Sequence, residues 1–276
     1  MLKARFATAL VLLGIFLSAL FVLQTKNFAI LIAAVVAIGS FEWAGLAKAS
    51  DRVRLIFCAL CTGTFVWAIW GVGAIDPAQP GMAALYGLSA IFWLFAVPAW
   101  LALGVRFRSL GPALLVGVLV VIPAGLSVVS LHSIHPGLLL MLLALIWIAD
   151  TAAYFTGRAF GRHKLAPSIS PGKTWEGVAG AVVATQIYAT ACALFWPEVA
   201  ARVQEAGWVP FLATAGLLCV VSITGDLFES SVKRQAQIKD SGTFLPGHGG
   251  VLDRIDSITS TLPLASLIYY FIVRSA

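Results

Sequence analysis

Charge is what this sequence has least of. Lys, Arg, Asp and Glu make up 11% of its 276 residues, where a soluble domain carries about 25%. Hydrophobic residues reach 60% before glycine is counted, so a single core surrounded by water is excluded. Cysteine is scarce as well, and Cys58, Cys61, Cys192 and Cys219 all fall inside apolar runs. Cys58 and Cys61 have the spacing of a metal or redox pair, but they lack a second ligand pair and polar flanks, so they read as small apolar helix residues. Low-complexity stretches and detectable repeats are missing, and so is the strict alternation of a transmembrane barrel.

What is present is a series of nine apolar runs, roughly 6–23, 28–47, 55–75, 82–104, 110–131, 137–156, 175–196, 208–224 and 258–273. Most reach the roughly 20 residues that span a hydrocarbon core about 30 Å thick. The expected fold is therefore all-α, a polytopic transmembrane helical bundle of about nine spans. The first run has no small-x-small cleavage site and reads as a span rather than a signal peptide. The eighth run is short and should continue as helix into the charged residues that follow it. One membrane domain over 1–276 is the economical division, with 1–140 as N-terminal spans and 141–276 as the spans and loops that carry a site.

Alternate loops divide the 18 Lys and Arg residues unevenly. Fifteen fall on one side and only Lys26, Arg202 and Arg274 on the other. The positive-inside rule then puts the N-terminus and the polar segments in the cytoplasm and the C-terminus outside. The net charge of +6 is mostly this bias and is not a nucleic-acid signal.

Two polar segments are long enough to build a site, about 157–174 and 225–257. The second holds 9 of the charged residues, with acids and bases mixed around a Gly-Gly turn. Lipid anchoring calls for Lys and Arg alone. A mixed set around a flexible turn suits metal ions and phosphates. On a helix running through the boundary, Asp226, Glu229, Ser230 and Lys233 share one stripe. A following helix starting near Leu252 puts Asp253, Asp256, Ser257 and Ser260 on one face. Carboxylates facing each other across these helices would hold a divalent cation, and the cation would hold phosphate oxygens. An interfacial salt-bridge network of Asp253, Arg254 and Lys233 is the structural alternative.

The first segment offers Ser170-Pro-Gly-Lys-Thr-Trp-Glu-Gly177. It is not a Walker A loop, because Pro167 stands where that motif needs glycine. Lys173 beside a Ser and a Thr can still clamp a phosphate. Asp150 and Glu42 are carboxylates within apolar runs, where ionisable groups are expensive; Glu42 also lies near enough to the cytoplasmic end of its run simply to reach the interface. His132 and His135 read as turn residues on the outer face.

With these residues in place, the chain resembles the phosphatidate cytidylyltransferases, also called CDP-diacylglycerol synthases. Their signature reads here without a break through Ser230, Val232, Lys233, Arg234, Lys239, Asp240, Gly242, Leu245, Pro246, His248, Gly249, Gly250, Val251, Asp253, Arg254, Ile255 and Asp256. The upstream elements Asp150–Tyr154 and Ser170–Gly177 match too, while 1–140 match only in hydropathy and at Glu42-Trp43. The resemblance implies transfer of CMP from CTP to phosphatidate, with Asp226, Asp253, Lys233, Arg254 and Asp256 as catalytic residues. It implies substrate contacts from Asp150, Ser170, Lys173, Thr174, Lys239, Asp240, His248, Gly249 and Gly250. It further implies Mg2+ on Asp226 and Asp253, allows a second, monovalent cation (K+) beside it, and suggests a homodimer in a bacterial inner (plasma) membrane. Two other classes use similar features: a CTP-dependent polyprenol kinase, which would transfer the γ-phosphoryl group, and a transporter, whose site would lie nearer the midplane.

Overall fold

The computed structural model describes residues 13–76, 79–244, 247 and 249–275. Among them, eight helices are long and apolar enough to cross a membrane. A shorter apolar helix, α1 (Leu13–Val22), precedes these eight and falls within the first expected span, the rest of which lies outside the described residues. Next come α2 (Thr25–Leu46) and α3 (Asp51–Val66), the latter extended by a π-helical turn to Val72. Helix α4 (Pro80–Ile91) runs through a second π turn, Phe92–Ala96, into α5 (Val97–Leu103). The chain continues as α6 (Leu110–Ile134), α7 (Pro136–Phe160), α8 (Trp175–Phe195), the short α9 (Pro197–Ala206), α10 (Trp208–Ala236) and α11 (Leu252–Ser275). The chain is an integral membrane protein of the all-α class, as its apolar runs predict.

Local chemistry sets the helix starts. Pro136 and Pro197 stand in first turns, where a missing N–H costs nothing. The His135 side chain accepts from Gly137 N at 3.0 Å. Thr174 Oγ1 accepts from Gly177 N at 3.1 Å and caps α8. The eighth run does continue past its apolar limit: α10 carries the Asp226–Lys233 stripe within one unbroken helix.

One element was not expected. Between α7 and α8, β1 (Lys164–Ala166) and β2 (Ser170–Thr174) form an antiparallel hairpin. The polar loop is short and must return between adjacent helices. Its turn closes with Ile169 N donating to Ala166 O at 3.1 Å. His163 Nδ1, 2.7 Å from Glu176 Oε1, ties the hairpin's base to α8.

Packing in the middle of the bundle fixes α10 and α11. Phe228 on α10 is enclosed by Trp43, Phe92, Trp93 and Trp100, with ring centroids 6.2, 5.6, 5.5 and 5.8 Å away. Gly225 lets α11 come close: a Cβ there would lie 2.8 Å from the Asp256 carbonyl and would collide with Ser260 Oγ. Ser260 Oγ in turn donates to Val221 O at 2.9 Å, so the polar face of α11 does turn toward α10.

The loops that the charge count places on one side also meet at one end of the structure. Gln235 on α10 bonds to Val105 O and Phe107 N between α5 and α6. Arg234 donates to Ile169 O in the hairpin at 3.1 Å, and Glu42 near the end of α2 reaches Val251 and Leu252.

Candidate active site

The site is built where the polar stripes of α10 and α11 face the hairpin. Lys173, carried on β2, places Nζ 2.6 Å from Asp226 Oδ2. Ser230 Oγ, one turn along α10, donates to Asp226 Oδ1 at 3.3 Å. Lys233 sits between the helices, with Nζ 2.8 Å from Glu229 Oε2 and 2.6 Å from Asp253 Oδ1. The other Asp253 oxygen, Oδ2, accepts from Ser241 N at 2.9 Å and Gly250 N at 2.8 Å. Asp253 thus ties the connector to α11 and, through Lys233, α11 to α10.

Asp150 and Asp256 complete the cluster. The charges of Asp226 and Lys173 reach Asp150, and those of Asp226, Glu229 and Asp150 reach Asp256. Five carboxylates therefore share this end of the bundle with two ammonium groups. Among the described residues no three carboxylate, imidazole or thiol groups stand together as a ready metal cage. Each predicted ligand, Asp226 and Asp253, is instead paired with its own lysine. Part of the salt-bridge alternative is present: Lys233 and Asp253 do pair, and Glu229 joins them.

Other predicted residues fall at varied distances from this centre. Thr174 is buried and its hydroxyl caps α8, so the geometry gives it a structural part. Ser170 begins β2, half-buried and three residues from Lys173. Lys239, Asp240 and Arg254 are exposed around the connector. His248 lies outside the described residues.

Gly249 and Gly250 have clear physical reasons. Gly249 has φ +83°, and a Cβ there would come within 2.8 Å of Asp253 Oδ2. A Cβ at Gly250 would lie 2.7 Å from Glu42 Oε2 and would collide with Ser241 Oγ. The close approach that the sequence assigns to a ligand is made, in this structure, to the carboxylates that hold the turn.

Two acidic residues outside the predicted set belong here. Glu229 is 4% exposed, and its Oε1 is buried without a hydrogen-bond partner. Its place on the Asp226–Lys233 stripe was the available signal. Glu42, from the half of the chain that lacks the signature, is 1% exposed and bonded to the connector. The signature's Lys-Arg pair splits. Lys233 enters the acidic cluster, whereas Arg234 lines a cleft of about 550 Å³ with Lys48, Arg106 and Phe107. Helices α2, α5 and α10 all end near that cleft, and bases suit their exposed carbonyls.

A membrane bundle with acids and lysines gathered at one helix-pair end defines the class, and the comparisons give the family. Residues 3–272 match the Cytidylyltransferase family, and the chain belongs to it. It is 39% identical over 267 residues to the phosphatidate cytidylyltransferase of Pseudomonas aeruginosa, covering 96% of this chain and 95% of that one. The Haemophilus influenzae protein of the same name is 35% identical over 292 residues, covering 99% and 100%. That of Brucella suis is 49% identical over 134 residues, covering 48% and 46%.

Proposed function

We propose that this protein transfers CMP from CTP to phosphatidate, forming CDP-diacylglycerol and pyrophosphate. The observation that carries the reading is the junction of Lys173, Asp226, Lys233 and Asp253 from three chain segments at one end of the bundle. A phosphatidate oxygen forms a bond to the α-phosphorus of CTP, and the α–β bridging bond breaks as pyrophosphate leaves. The attacking phosphate is already ionised at neutral pH, so no general base is required. The obstacle is the approach of one anion to another, and catalysis rests on neutralisation and in-line placement.

Lys173 and Lys233 are the neutralising groups nearest the centre, with Lys239 and Arg254 at its exposed rim. The residues fit a divalent cation: the donors are all oxygen, carboxylates exceed bases, and a buried Glu229 oxygen has no partner. Mg2+ would be held by Asp226 and Asp253 and would supply further neutralisation of the triphosphate. The monovalent cation and the homodimer rest on the family resemblance alone.

A CTP labelled at either phosphate tests the reaction on purified protein. The α label should enter lipid only when phosphatidate is supplied, with release of pyrophosphate. Entry of the γ label instead would make the protein a lipid kinase, and entry of neither would leave the transporter reading.

The charge split and the bacterial relatives support an inner-membrane location with this site in the cytoplasm. Single cysteines at Ser168, in the hairpin turn, and at Glu205, on α9, should differ in labelling by an impermeant reagent. Only the α9 position should react from outside intact cells; reaction at Ser168 would reverse the orientation.

A further inference from the structure

Glu42 lies 199 residues from Ser241 and 210 from Leu252, yet its carboxylate makes the contacts that begin α11. Oε1 accepts from Val251 N at 3.0 Å, and Oε2 accepts from Leu252 N at 2.8 Å and from Ser241 Oγ at 3.2 Å. The acid is 1% exposed and sits where the unpaired N–H groups of α11 concentrate partial positive charge. The turn is shaped to admit it. A Cβ at Gly242 would collide with Oε1, and one at Gly250 would stand 2.7 Å from Oε2. Helix α2 is itself held firmly beside this point. Trp43 Nε1 donates to Ala113 O at 2.8 Å, and Gly39 faces the Leu252 side chain, leaving room for a Cβ only 3.4 Å from it.

Ser241 is shared between two carboxylates, and the Gly250, Val251 and Leu252 amides are divided between the same two. The Ser241 and Gly250 N–H groups go to Asp253 Oδ2, while Glu42 takes the Ser241 hydroxyl and the next two amides, Val251 and Leu252. Asp253, in the first turn of α11, already accepts from the Gly250 amide beside them. Without the Glu42 carboxylate they would compete for Asp253, and its Oδ1 would be drawn from the centre it shares with Lys233.

We propose that Glu42 is a positioning residue of the active site: by taking the first amides of α11 it holds the 241–252 turn and leaves Asp253 directed at Lys233 and the acidic cluster. The proposal rests on the reading of Asp253 as a cation ligand. It assigns a role in the site to the N-terminal half of the chain, which carries none of the signature residues.

The test compares Glu42→Gln, Ser241→Ala, Asp253→Asn and Trp43→Phe in the detergent-purified full chain. Mn2+ binding is read by electron paramagnetic resonance and backbone exchange by mass spectrometry. Gln keeps the size of the side chain but presents an NH2 donor to amides that need an acceptor. Glu42→Gln should weaken Mn2+ binding and lower turnover by about 10- to 100-fold, the range seen when a group that orients a metal ligand is lost. Exchange should quicken at residues 250–253. Ser241→Ala, which removes one of the three hydrogen bonds, should shift Mn2+ binding less but in the same direction, and it decides the matter if Glu42→Gln fails to fold. Trp43→Phe loosens the same stretch of α2 without touching the turn, so it should lower the melting temperature and leave Mn2+ affinity unchanged.

Wild-type Mn2+ affinity in Glu42→Gln, or equal shifts in it and Trp43→Phe, would overturn the proposal. In the case where Glu42→Gln does not fold, an unchanged Ser241→Ala would do the same. Asp253→Asn separates the two readings. If it binds Mn2+ normally, the cation assignment fails. If it does not, while Glu42→Gln does, the site stands and Glu42 is only a helix cap.

Discussion

At the end of the bundle where α6 meets α7, the buried histidine has a partner for each ring nitrogen. His132 is 3% exposed, stacks on Phe28 at 4.2 Å, bonds to Leu20 O at 2.9 Å and lies 3.1 Å from the Thr25 hydroxyl. At the opposite end, five carboxylates gather around two lysines, and a buried oxygen of Glu229 has no partner at all. The same fold therefore buries polarity in two ways. A satisfied group inside a membrane bundle closes a turn and asks for nothing more. A cluster with surplus charge of one sign costs stability, and it persists where substrates or ions complete it. The contrast predicts that substitutions at one end remove function with the fold intact, and at the other remove stability with function intact.

The largest effect should come from Asp226→Asn and Asp253→Asn. Each keeps shape and removes a charged oxygen, so near-complete loss of cytidylyl transfer is expected with normal membrane insertion and detergent-extracted size. Both residues act through one centre, so the double variant should be little worse than either single one. Substantial turnover in Asp253→Asn at saturating Mg2+ would reduce the cluster to a salt-bridge network and erase the contrast between the ends.

Lys173→Met comes next. It keeps the apolar stem and deletes the charge now paired with Asp226. A charge-assisted contact to phosphate is worth roughly 1.5–3 kcal/mol, so kcat/KM for CTP should fall about 10- to 150-fold. Unchanged CTP kinetics would remove the hairpin from the site. A somewhat smaller loss, about 10- to 100-fold, is expected of Glu229→Gln, which lowers the surplus charge but leaves Lys233 its bond to Asp253. Stability should rise or hold in this variant, because the buried charge it deletes is only half compensated; a fall in stability with normal turnover would make Glu229 a structural acid.

How far the sequence reached follows from how local each signal is. Hydropathy marks spans because every turn of a helix in lipid must be apolar, so the eight long helices fall where the apolar runs lie. The i, i+3, i+4, i+7 stripe from Asp226 to Lys233 was legible for the same reason, since helical spacing puts those side chains on one face without tertiary knowledge. The hairpin escaped because strands of three and five residues carry no period of their own. Glu42 was visible as a costly charge, but its partners lie some 200 residues away, and nothing local distinguishes a carboxylate reaching the interface from one capping a distant helix. Thr174 is the converse case: a residue singled out by its phosphate-binding neighbourhood has a hydroxyl that accepts at the start of α8, a capping part that the loop sequence did not announce.

The smallest functional effect, and the sharpest control on the contrast, belongs to His132→Phe. Phenylalanine can keep the stack on Phe28 but cannot donate to the Leu20 carbonyl or meet the Thr25 hydroxyl. The carbonyl is then left buried without its donor, a loss of about 1–3 kcal/mol. The variant should melt at a lower temperature in detergent while its kcat and its KM for CTP stay at wild-type values below that temperature. The reason lies in position: His132 joins α1, α2 and α6 at the end of the bundle opposite Lys233, and none of its partners belongs to the acidic cluster. If turnover instead collapses while the melting temperature holds, the two ends are coupled through the helices. Satisfied hydrogen bonding would then no longer suffice to mark a polar group in this bundle as structural.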